Sequence, residues 1–467
     1  MITVVGGGFA GVEAAWAAAT RGQRVVLYEM RPVRMTPAHT TDSFAELVCS
    51  NSFKSKLSTS PAGQLKAEMS ALGSIVLEIA ERHSVPAGEA LAVDRAKFAE
   101  DITRTIADHP LIEVRREEFQ PEDVDTAIQN GPLILATGPL TSPELSEALA
   151  GWIGRKHLYF YDAVSPTVTV ESIDFNIAFR ESRYGKGDGQ DYINCPFEKD
   201  SYLNFVRELV NAERAPIHAF EAGGKRDADP NELEGQLLEK IKYFSGCTPI
   251  EAIAEKGERS LAFGNFKPVG LTDPRTGRRP YAALQLRPEN KEGTLYSLVA
   301  SQTRLKWGEQ KRIFQMVPGL ENAEFVRYGV IHRNTYVEAP TALDDRLQVV
   351  QKPGVFLSGQ LTGVEGYVES AAIGILSGLH AVAQLGGFEL PLPSRATAYG
   401  GLISHLRDPI EREFAPMNVN WGLFPDPPEP MRDKGLKRAY KIEKANEGLQ
   451  EWIELLRDAG IIGRDAS

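Results

Sequence analysis

Residues 1–11, Met-Ile-Thr-Val-Val-Gly-Gly-Gly-Phe-Ala-Gly, decide the fold. The first five are mostly apolar and predict a short buried strand. Glycines follow at Gly6, Gly8 and Gly11, and the alanine-rich stretch from Val12 to Thr20 predicts a helix. A strand that enters a helix through a glycine-rich turn is typical of the first half of a βαβ unit.

The second half of that unit comes directly afterwards. The apolar run from Gln23 to Glu29 predicts a parallel strand that ends in an acid. Backbone N–H groups at the helix start can bind a pyrophosphate, and Glu29 is placed for a ribose hydroxyl, whereas the alternative is an ordinary tight turn. We therefore predict a dinucleotide site formed by Gly6, Gly7, Gly8, Phe9, Ala10, Gly11 and Glu29.

Two later strands also end in glycine turns. One spans 132–136 and is followed by Thr137 and Gly138, and the other spans 355–358 and is followed by Gly359, Gln360 and Gly363. These turns resemble the later FAD contacts of glutathione-reductase-like flavoproteins, so all five residues are predicted to bind the cofactor. A helix-entry turn is the alternative for the last glycines. The chain has no second GxGxxG unit between a strand and a helix, so NAD(P)H is expected to dock transiently.

The middle of the chain differs from its two ends. Charged helical stretches, 199–212 and 231–244, alternate with loop-rich sequence between about residues 180 and 331. We predict an α/β protein in which a glutathione-reductase-like FAD-binding (Rossmann) domain, 1–179 and 332–467, is interrupted by a smaller α+β inserted domain, 180–331. The second part carries a C-terminal helical tail.

Composition excludes several classes of protein. Of the 467 residues 42% are hydrophobic and 25% charged, and the net charge is -11, which argues against disordered and fibrous proteins and against nonspecific coating of nucleic acid. No run approaches the ~20 uninterrupted apolar residues of a membrane helix, and no secretory signal is expected. The three cysteines are too far apart for a disulfide framework or a CxxC metal site. We expect a cytoplasmic protein without a bound metal.

Four segments together resemble the folate- and FAD-dependent tRNA (uracil-5-)-methyltransferases, the TrmFO family. They are GGGFAGVEAA from Gly6, ELVCSNS at 46–52, YFSGCTPIE at 243–251 and GQLTGVEGYVES at 359–370. The resemblance implies methylation of carbon 5 of uridine 54 in the T loop of tRNA. It also implies methylenetetrahydrofolate as the donor, and reduced FAD as reductant and methylene carrier.

Three other functions remain open at this point. The glycine loop alone also fits a wobble-uridine tRNA modification flavoprotein that acts in a complex. A small-molecule NAD(P)H-dependent flavin oxidoreductase and a noncatalytic tRNA-folding factor are further alternatives. The oligomeric state is not predicted.

The chemistry of uracil points to cysteine. Carbon 5 is a poor nucleophile until a thiolate adds to carbon 6. The resemblance implies that Cys49 and Cys247 are catalytic, and our hypothesis is that Cys247 attacks while Cys49 acts as base or guards the flavin, although the roles could be exchanged. Lys54 and Lys56 are expected to lower the pKa of Cys49. Cys195, before a proline, is interpreted as structural.

Folate and RNA contacts are also predicted. Asn51, Lys54 and His332 are candidates for folate binding. From Lys267 to Arg312 there are ten basic residues against four acidic ones, and aromatic residues lie between them, which favours a tRNA site over an ordinary solvated face. Its predicted contacts are Arg304, Lys306, Lys311 and Arg312.

Overall fold

The computed structural model describes residues 1–154, 158–163, 165–215, 248–329, 331–409 and 414–462, with the backbone alone for 158–163 and 331–334. The strands are β1 (Ile2–Val5), β2 (Val25–Tyr28), β3 (Ser52–Ser55), β4 (Ser84–Val85), β5 (Ala90–Val93), β6 (Ile112–Arg115), β7 (Leu133–Leu135), β8 (Leu158–Ala163), β9 (Thr167–Thr169), β10 (Phe179–Arg180), β11 (Ile193–Phe197), β12 (Ala282–Pro288), β13 (Leu295–Leu298), β14 (Phe325–Arg327), β15 (Ile331–Tyr336) and β16 (Val355–Leu357). The α-helices are α1 (Phe9–Ala19), α2 (Pro61–Ala71), α3 (Ile75–Arg82), α4 (Arg95–Ala107), α5 (Val124–Asn130), α6 (Pro143–Ile153), α7 (Lys199–Asn211), α8 (Ile250–Ala254), α9 (Ser260–Phe263), α10 (Trp307–Phe314), α11 (Ala339–Ala342), α12 (Tyr367–Gly386), α13 (Ala398–Arg407) and α14 (Lys434–Asp458).

A five-stranded parallel sheet in the order β16-β7-β1-β2-β6 forms the centre of the first layer. The register between β1 and β2 pairs Ile2 with Val25 and Val5 with Tyr28. All four residues of β1 are buried, as expected of a strand at the centre of a parallel sheet. The predicted strand, glycine turn, helix and second strand are thus confirmed, and so is the α/β fold class.

Helix α12 packs along α1 at unusually short range. A Cβ atom on Gly374 would lie 2.3 Å from the carbonyl oxygen of Ala10, so only glycine allows this approach. The helix is 20 residues long with a mean hydropathy of 1.3, enough in length and composition to cross a membrane, but 83% of that stretch is buried inside the protein. It is therefore a core helix, and it fixes the position of the α1 N-terminus.

The second layer is an antiparallel sheet in the order β10-β11-β12-β13-β9-β14, with its own apolar core. In that core the ring of Phe197 on β11 packs against the ring of Phe205 on α7, with 5.3 Å between their centroids. Helix α7 therefore covers one face of the sheet. The domain boundary predicted at residue 180 falls inside this sheet, since β9 lies earlier in the chain. The helix predicted at 231–244 lies outside the described residues.

The two layers are joined where the chain passes between them. Strands β8 and β15 pair antiparallel, with Ala163 opposite Ile331, so the outgoing and returning connections run side by side. At the C-terminus α14 agrees with the predicted helical tail, and its Trp452 is buried against α13 through Tyr399.

Candidate functional site

A deep cleft opens at the carboxyl ends of β1, β7 and β16, where the glycine turns meet. Ligands of parallel α/β folds bind at this edge of the sheet. The cleft has an empty volume of about 1070 Å³ and is lined by apolar surface more than by polar surface. Ten of the predicted cofactor residues line it: Gly6, Gly7, Gly8, Phe9, Ala10, Glu29, Thr137, Gly138, Gly359 and Gln360.

The start of α1 suits a pyrophosphate. Its first turn contains no acidic residue, and no side chain caps it. A Cβ atom on Gly8 would meet no protein atom within 4 Å, so this side of the turn is open to the cleft. Backbone N–H groups and the positive end of the helix dipole are thereby presented to an anion, which fits the FAD that the sequence predicts.

Two predicted cofactor glycines have packing roles instead and do not line the cleft. A Cβ on Gly11 would lie 1.7 Å from the carbonyl oxygen of Gly6, so glycine lets the helix pack against the turn. A Cβ on Gly363 would lie 2.4 Å from a ring carbon of Phe414. Gly11 and Gly363 therefore allow close packing next to the cleft without lining it.

Glu29 is held more firmly than the sequence suggested. Its carboxylate accepts the N–H of Gly7 at 2.8 Å, and from Arg31 it accepts the backbone N–H at 3.0 Å and Nε at 2.9 Å. Burial opposes ionisation, but hydrogen bonds and the charge of Arg31 hold the pKa of Glu29 below its usual value. Glu29 is therefore an ionised, oriented acceptor at the cleft wall, and its contact with a ribose stays a prediction.

Cys49 lies in the loop that forms the opposite wall. Glu46 and Val48 of this loop line the cleft, and so does Tyr367 at the start of α12. The backbone N–H of Cys49 donates to the Tyr367 hydroxyl oxygen at 2.7 Å. The backbone of the half-buried Cys49 is thus joined directly to a residue that lines the predicted flavin site.

Three arginines surround the Cys49 loop, and we call Arg95, Arg287 and Arg327 the arginine cluster. Arg95 donates to the carbonyl oxygen of Cys49 at 3.5 Å and also to that of Leu47. All three charges act on Cys49. Sequence reasoning missed the cluster.

Glu289 is the carboxylate of this region. It pairs with Arg95 Nε at 2.6 Å. Burial would raise the pKa of Glu289, but the positive charges of Arg95, Arg327 and Arg287 lower it to about 2. The carboxylate is therefore ionised throughout the physiological range.

The lysine predicted to act on Cys49 is engaged elsewhere. Lys54 Nζ lies 2.7 Å from both carboxylate oxygens of the fully buried Glu369. The charge of Lys54 is therefore neutralised by Glu369, which contradicts its expected effect on the thiol, and the effect of Lys56 stays a prediction. The contact of Lys54 with folate stays a prediction.

Asn51 ties the two layers together. Its side-chain amide donates to the carbonyl oxygens of Val93 and Pro288, both at 2.9 Å, and its oxygen accepts from Arg287 Nε at 2.9 Å. It is fully buried, so nothing in its surroundings supports the predicted folate contact. His332 pairs through its backbone with Asp162, and its side chain is outside the described residues.

The structure describes only one of the other two cysteines. Cys195 is fully buried on β11, and burial raises the pKa of its thiol far above the usual range, as a structural role requires. Cys247 lies outside the described residues, so its catalytic role stays a prediction.

The predicted RNA contacts divide into two groups. Lys306 and Arg312 are exposed on and beside α10 but are paired with Glu213 and Glu208, at 2.6 and 2.7 Å, and Lys311 is exposed. Arg304 is only 3% exposed, so the structure contradicts its selection for a surface site. Counting charges along the chain could not reveal this burial.

Sequence reasoning also missed acceptors and donors around the cleft. Arg31 is 2% exposed and pairs with Glu46 as well as with Glu29. Glu46, which lines the cleft, accepts the backbone N–H groups of Thr40 and Thr41 and so closes the loop of residues 40–46. The one available signal was the position of Arg31 two residues after the strand-ending acid.

Known families and proteins resemble the chain over nearly all its length. A family model described as glucose inhibited division protein A matches residues 1–389. The protein named methylenetetrahydrofolate–tRNA-(uracil-5-)-methyltransferase TrmFO from Desulforamulus reducens is 48% identical over 453 residues, which is 97% of each chain. The protein of the same name from Geobacter sulfurreducens is 47% identical over 452 residues, 97% of this chain and 98% of that one.

Among solved structures, GidA of Aquifex aeolicus in its form II crystal superposes with a TM-score of 0.66. The alignment covers 100% of this chain and 74% of that chain, at 16% sequence identity. At this identity the likeness concerns the fold alone.

Proposed function

We propose that this chain, which belongs to the TrmFO family, methylates carbon 5 of a uracil in tRNA with the one-carbon unit of methylenetetrahydrofolate. The observation that carries the proposal is the position of Cys49, bound through Tyr367 to the wall of the cleft that fits FAD. A cysteine in the loop beside a flavin cleft suits this reaction, and a small-molecule flavin oxidoreductase or a noncatalytic folding factor has no need of such a thiol.

The glycine turn and the N-terminus of α1 would hold the FAD pyrophosphate, and Glu29 would orient the adjacent ribose. Reduced FAD supplies the two electrons that separate a methylene from a methyl group.

The two thiols are proposed to act on the uracil ring. A thiolate that adds to carbon 6 of uracil makes carbon 5 nucleophilic, and a base must later remove the proton at carbon 5. Cys247 and Cys49 are proposed for these two tasks, in that order, with exchange of the roles as the alternative. The hydrogen bond from the backbone N–H of Cys49 to the Tyr367 hydroxyl holds the Cys49 backbone in place.

We further propose uridine 54 of the T loop as the target. This base is held inside a folded loop, so it reaches the cleft only after extrusion, at a cost of a few kcal/mol. Phosphate contacts by Lys306, Lys311 and Arg312 would offset this cost in part, since all three side chains are exposed.

The source of electrons and the location in the cell are also proposals. NAD(P)H is proposed to reduce the flavin from a transient position, because the chain contains a single strand-GxGxxG-helix unit. A cytoplasmic location follows from the availability of tRNA and folate there.

The test is transfer of label. Purified protein is incubated with unmodified tRNA, NAD(P)H and methylenetetrahydrofolate labelled in its methylene carbon, and the RNA is digested to nucleosides. We expect label in 5-methyluridine without any partner protein. Label that enters RNA only with a GTPase partner and glycine would favour the wobble-uridine alternative. Flavin oxidation without label in RNA would favour the small-molecule oxidoreductase.

A further inference from the structure

Charged groups converge on Cys49 from four separate elements. Arg95 comes from the first residue of α4, Arg287 from β12, Glu289 from the turn after β12, and Arg327 from the last residue of β14. Two tyrosines are the other titratable neighbours among the described residues: Tyr192 lies beside Arg287, and Tyr367 of α12 accepts the N–H of Cys49 at its hydroxyl oxygen. Burial raises the pKa of Tyr367 above its usual range, so it is neutral at physiological pH.

The charges in this group do not balance. Arg95 is paired with Glu289 at 2.6 Å. The Nε of Arg287 is bound to the neutral amide of Asn51 at 2.9 Å rather than to a carboxylate. Among the described residues, three guanidinium groups thus meet one carboxylate, which leaves an excess of two positive charges.

Arg327 is the least compensated of the three. Its Nε and Nη2 atoms are both buried, and within the described part of the chain neither has a hydrogen-bond partner. Burial lowers the pKa of Arg327 to about 10, so it remains charged at neutral pH. Buried donors without acceptors and buried charge without a counterion are both unfavourable, so a negative group nearby would stabilise the fold.

We propose that Arg95, Arg287 and Arg327 act as positioning residues that hold the sulfur of Cys49 as a thiolate at neutral pH. A thiolate supplies one of the missing negative charges, beside three guanidinium groups that each interact electrostatically with Cys49. Nearby cations favour the charged form of a thiol, whereas the apolar surroundings of Cys195 favour the neutral form. The inference goes beyond the proposed function, because it concerns the resting protein without tRNA or folate.

The experiment measures alkylation of the full-length, flavin-loaded protein by iodoacetamide as a function of pH. The thiolate sulfur displaces iodide, so a carbon–sulfur bond forms as the carbon–iodine bond breaks. Mass spectrometry of tryptic peptides separates modified Cys49 from Cys195 and Cys247, which lie on different peptides. We expect the midpoint for Cys49 below the ~8.5 of a free cysteine.

Two variants of one arginine then separate charge from packing. Arg327→Gln should raise the midpoint for Cys49 by about one pH unit, because one full charge is lost near the sulfur. Arg327→Lys keeps the charge and should restore most of the shift. The matched control is Arg275→Gln, which removes an exposed arginine that pairs with Asp273 elsewhere in the same layer.

The outcomes are distinct. A wild-type midpoint at or above that of a free cysteine overturns the proposal without any variant. Equal midpoints for wild type and Arg327→Gln, with folding verified by thermal unfolding, overturn the role of Arg327. Neither result bears on transfer of label to tRNA, so failure here and failure of the proposed function are distinguishable.

Discussion

The backbone N–H of Cys49 and the hydroxyl oxygen of Tyr367 lie 2.7 Å apart, although 318 positions separate the two residues in the chain. Phe9 is the first residue of α1, and the centroids of the Tyr367 and Phe9 rings lie 4.7 Å apart. The cysteine loop, the start of α1 and the start of α12 are therefore joined to one another at the cleft.

Removal of the Tyr367 hydroxyl tests this connection. Tyr367→Phe keeps the ring packed on Phe9 but leaves the N–H of Cys49 without its acceptor, at a cost of about 1 to 3 kcal/mol. We expect a lower free energy of unfolding and a fall in methylation, measured by denaturant titration and label transfer. Tyr399→Phe is the control, since its buried hydroxyl has no partner in the described part of the chain and should be dispensable. Equal effects of the two variants would contradict the account.

Gly11 tests the packing behind the glycine turn. In Gly11→Ala the new Cβ would collide with the carbonyl oxygen of Gly6, so the turn must shift and we expect loss of bound flavin, followed by absorbance of the purified protein. Gly151→Ala is the control: this helical position has open space around it, and alanine should stabilise α6 by about 0.5 to 1 kcal/mol. Retention of full flavin by Gly11→Ala would disprove the packing role.

Glu13 predicts how stability depends on pH. It accepts the N–H groups of Ile75 and Val76 at the start of α3, and burial raises its pKa to about 7 from 4.5. The folded state therefore binds the proton more tightly than the unfolded state, so stability is greatest below pH ~4.5 for this group and falls as pH rises to about 7. The loss is on the order of 3 kcal/mol.

Denaturant titrations at several pH values measure that slope. Glu13→Gln removes the titration, so its free energy of unfolding should vary less between pH 5 and pH 7 (roughly the window set by the two pKa values). Glu68, whose pKa burial also raises to about 7, contributes a parallel slope that remains in this variant. An unchanged slope in Glu13→Gln would show that Glu13 is not the titrating group.

The exposed cations near α10 test the RNA surface. Simultaneous change of Lys306, Lys311 and Arg312 to glutamine should weaken tRNA binding and make its salt dependence shallower, by roughly 0.7 to 0.9 in log–log slope for each phosphate that is no longer neutralised. Flavin content should not change, because these residues lie outside the cleft. The control changes three exposed cations at the start of α14: Arg432, Lys434 and Arg438. Their loss should not change the slope of tRNA affinity against salt concentration. Identical slopes for both triple variants would discard this surface.

Much of the fold could be predicted because its signals are local. A buried parallel strand followed by glycines and an alanine-rich helix is visible within thirty residues, and β1, α1 and β2 formed as expected. The inserted sheet was harder, since β9 and β10 are three and two residues long and pair with strands far away in the chain. Short antiparallel strands carry too little periodicity to set a boundary, which is why residue 180 was placed inside the sheet.

The site was predictable only where one segment makes it. Nine of the ten cofactor residues that line the cleft lie in or beside glycine turns, and the tenth, Glu29, directly follows β2, so each carries a local signal. The arginine cluster joins α4, β12 and β14, so no local pattern contains it. The same limit explains Arg304: charge along the chain is visible in the sequence, but burial by a distant core is not.

The central claim is that a flavin and an activated sulfur meet on one uracil, and label transfer by two cysteine variants tests it most directly. With carbon-labelled methylenetetrahydrofolate and unmodified tRNA, Cys195→Ala should still form labelled 5-methyluridine at position 54, because that thiol is buried far from solvent. Cys49→Ala, with its flavin content intact, should form little or none. Full methylation by Cys49→Ala would contradict the account.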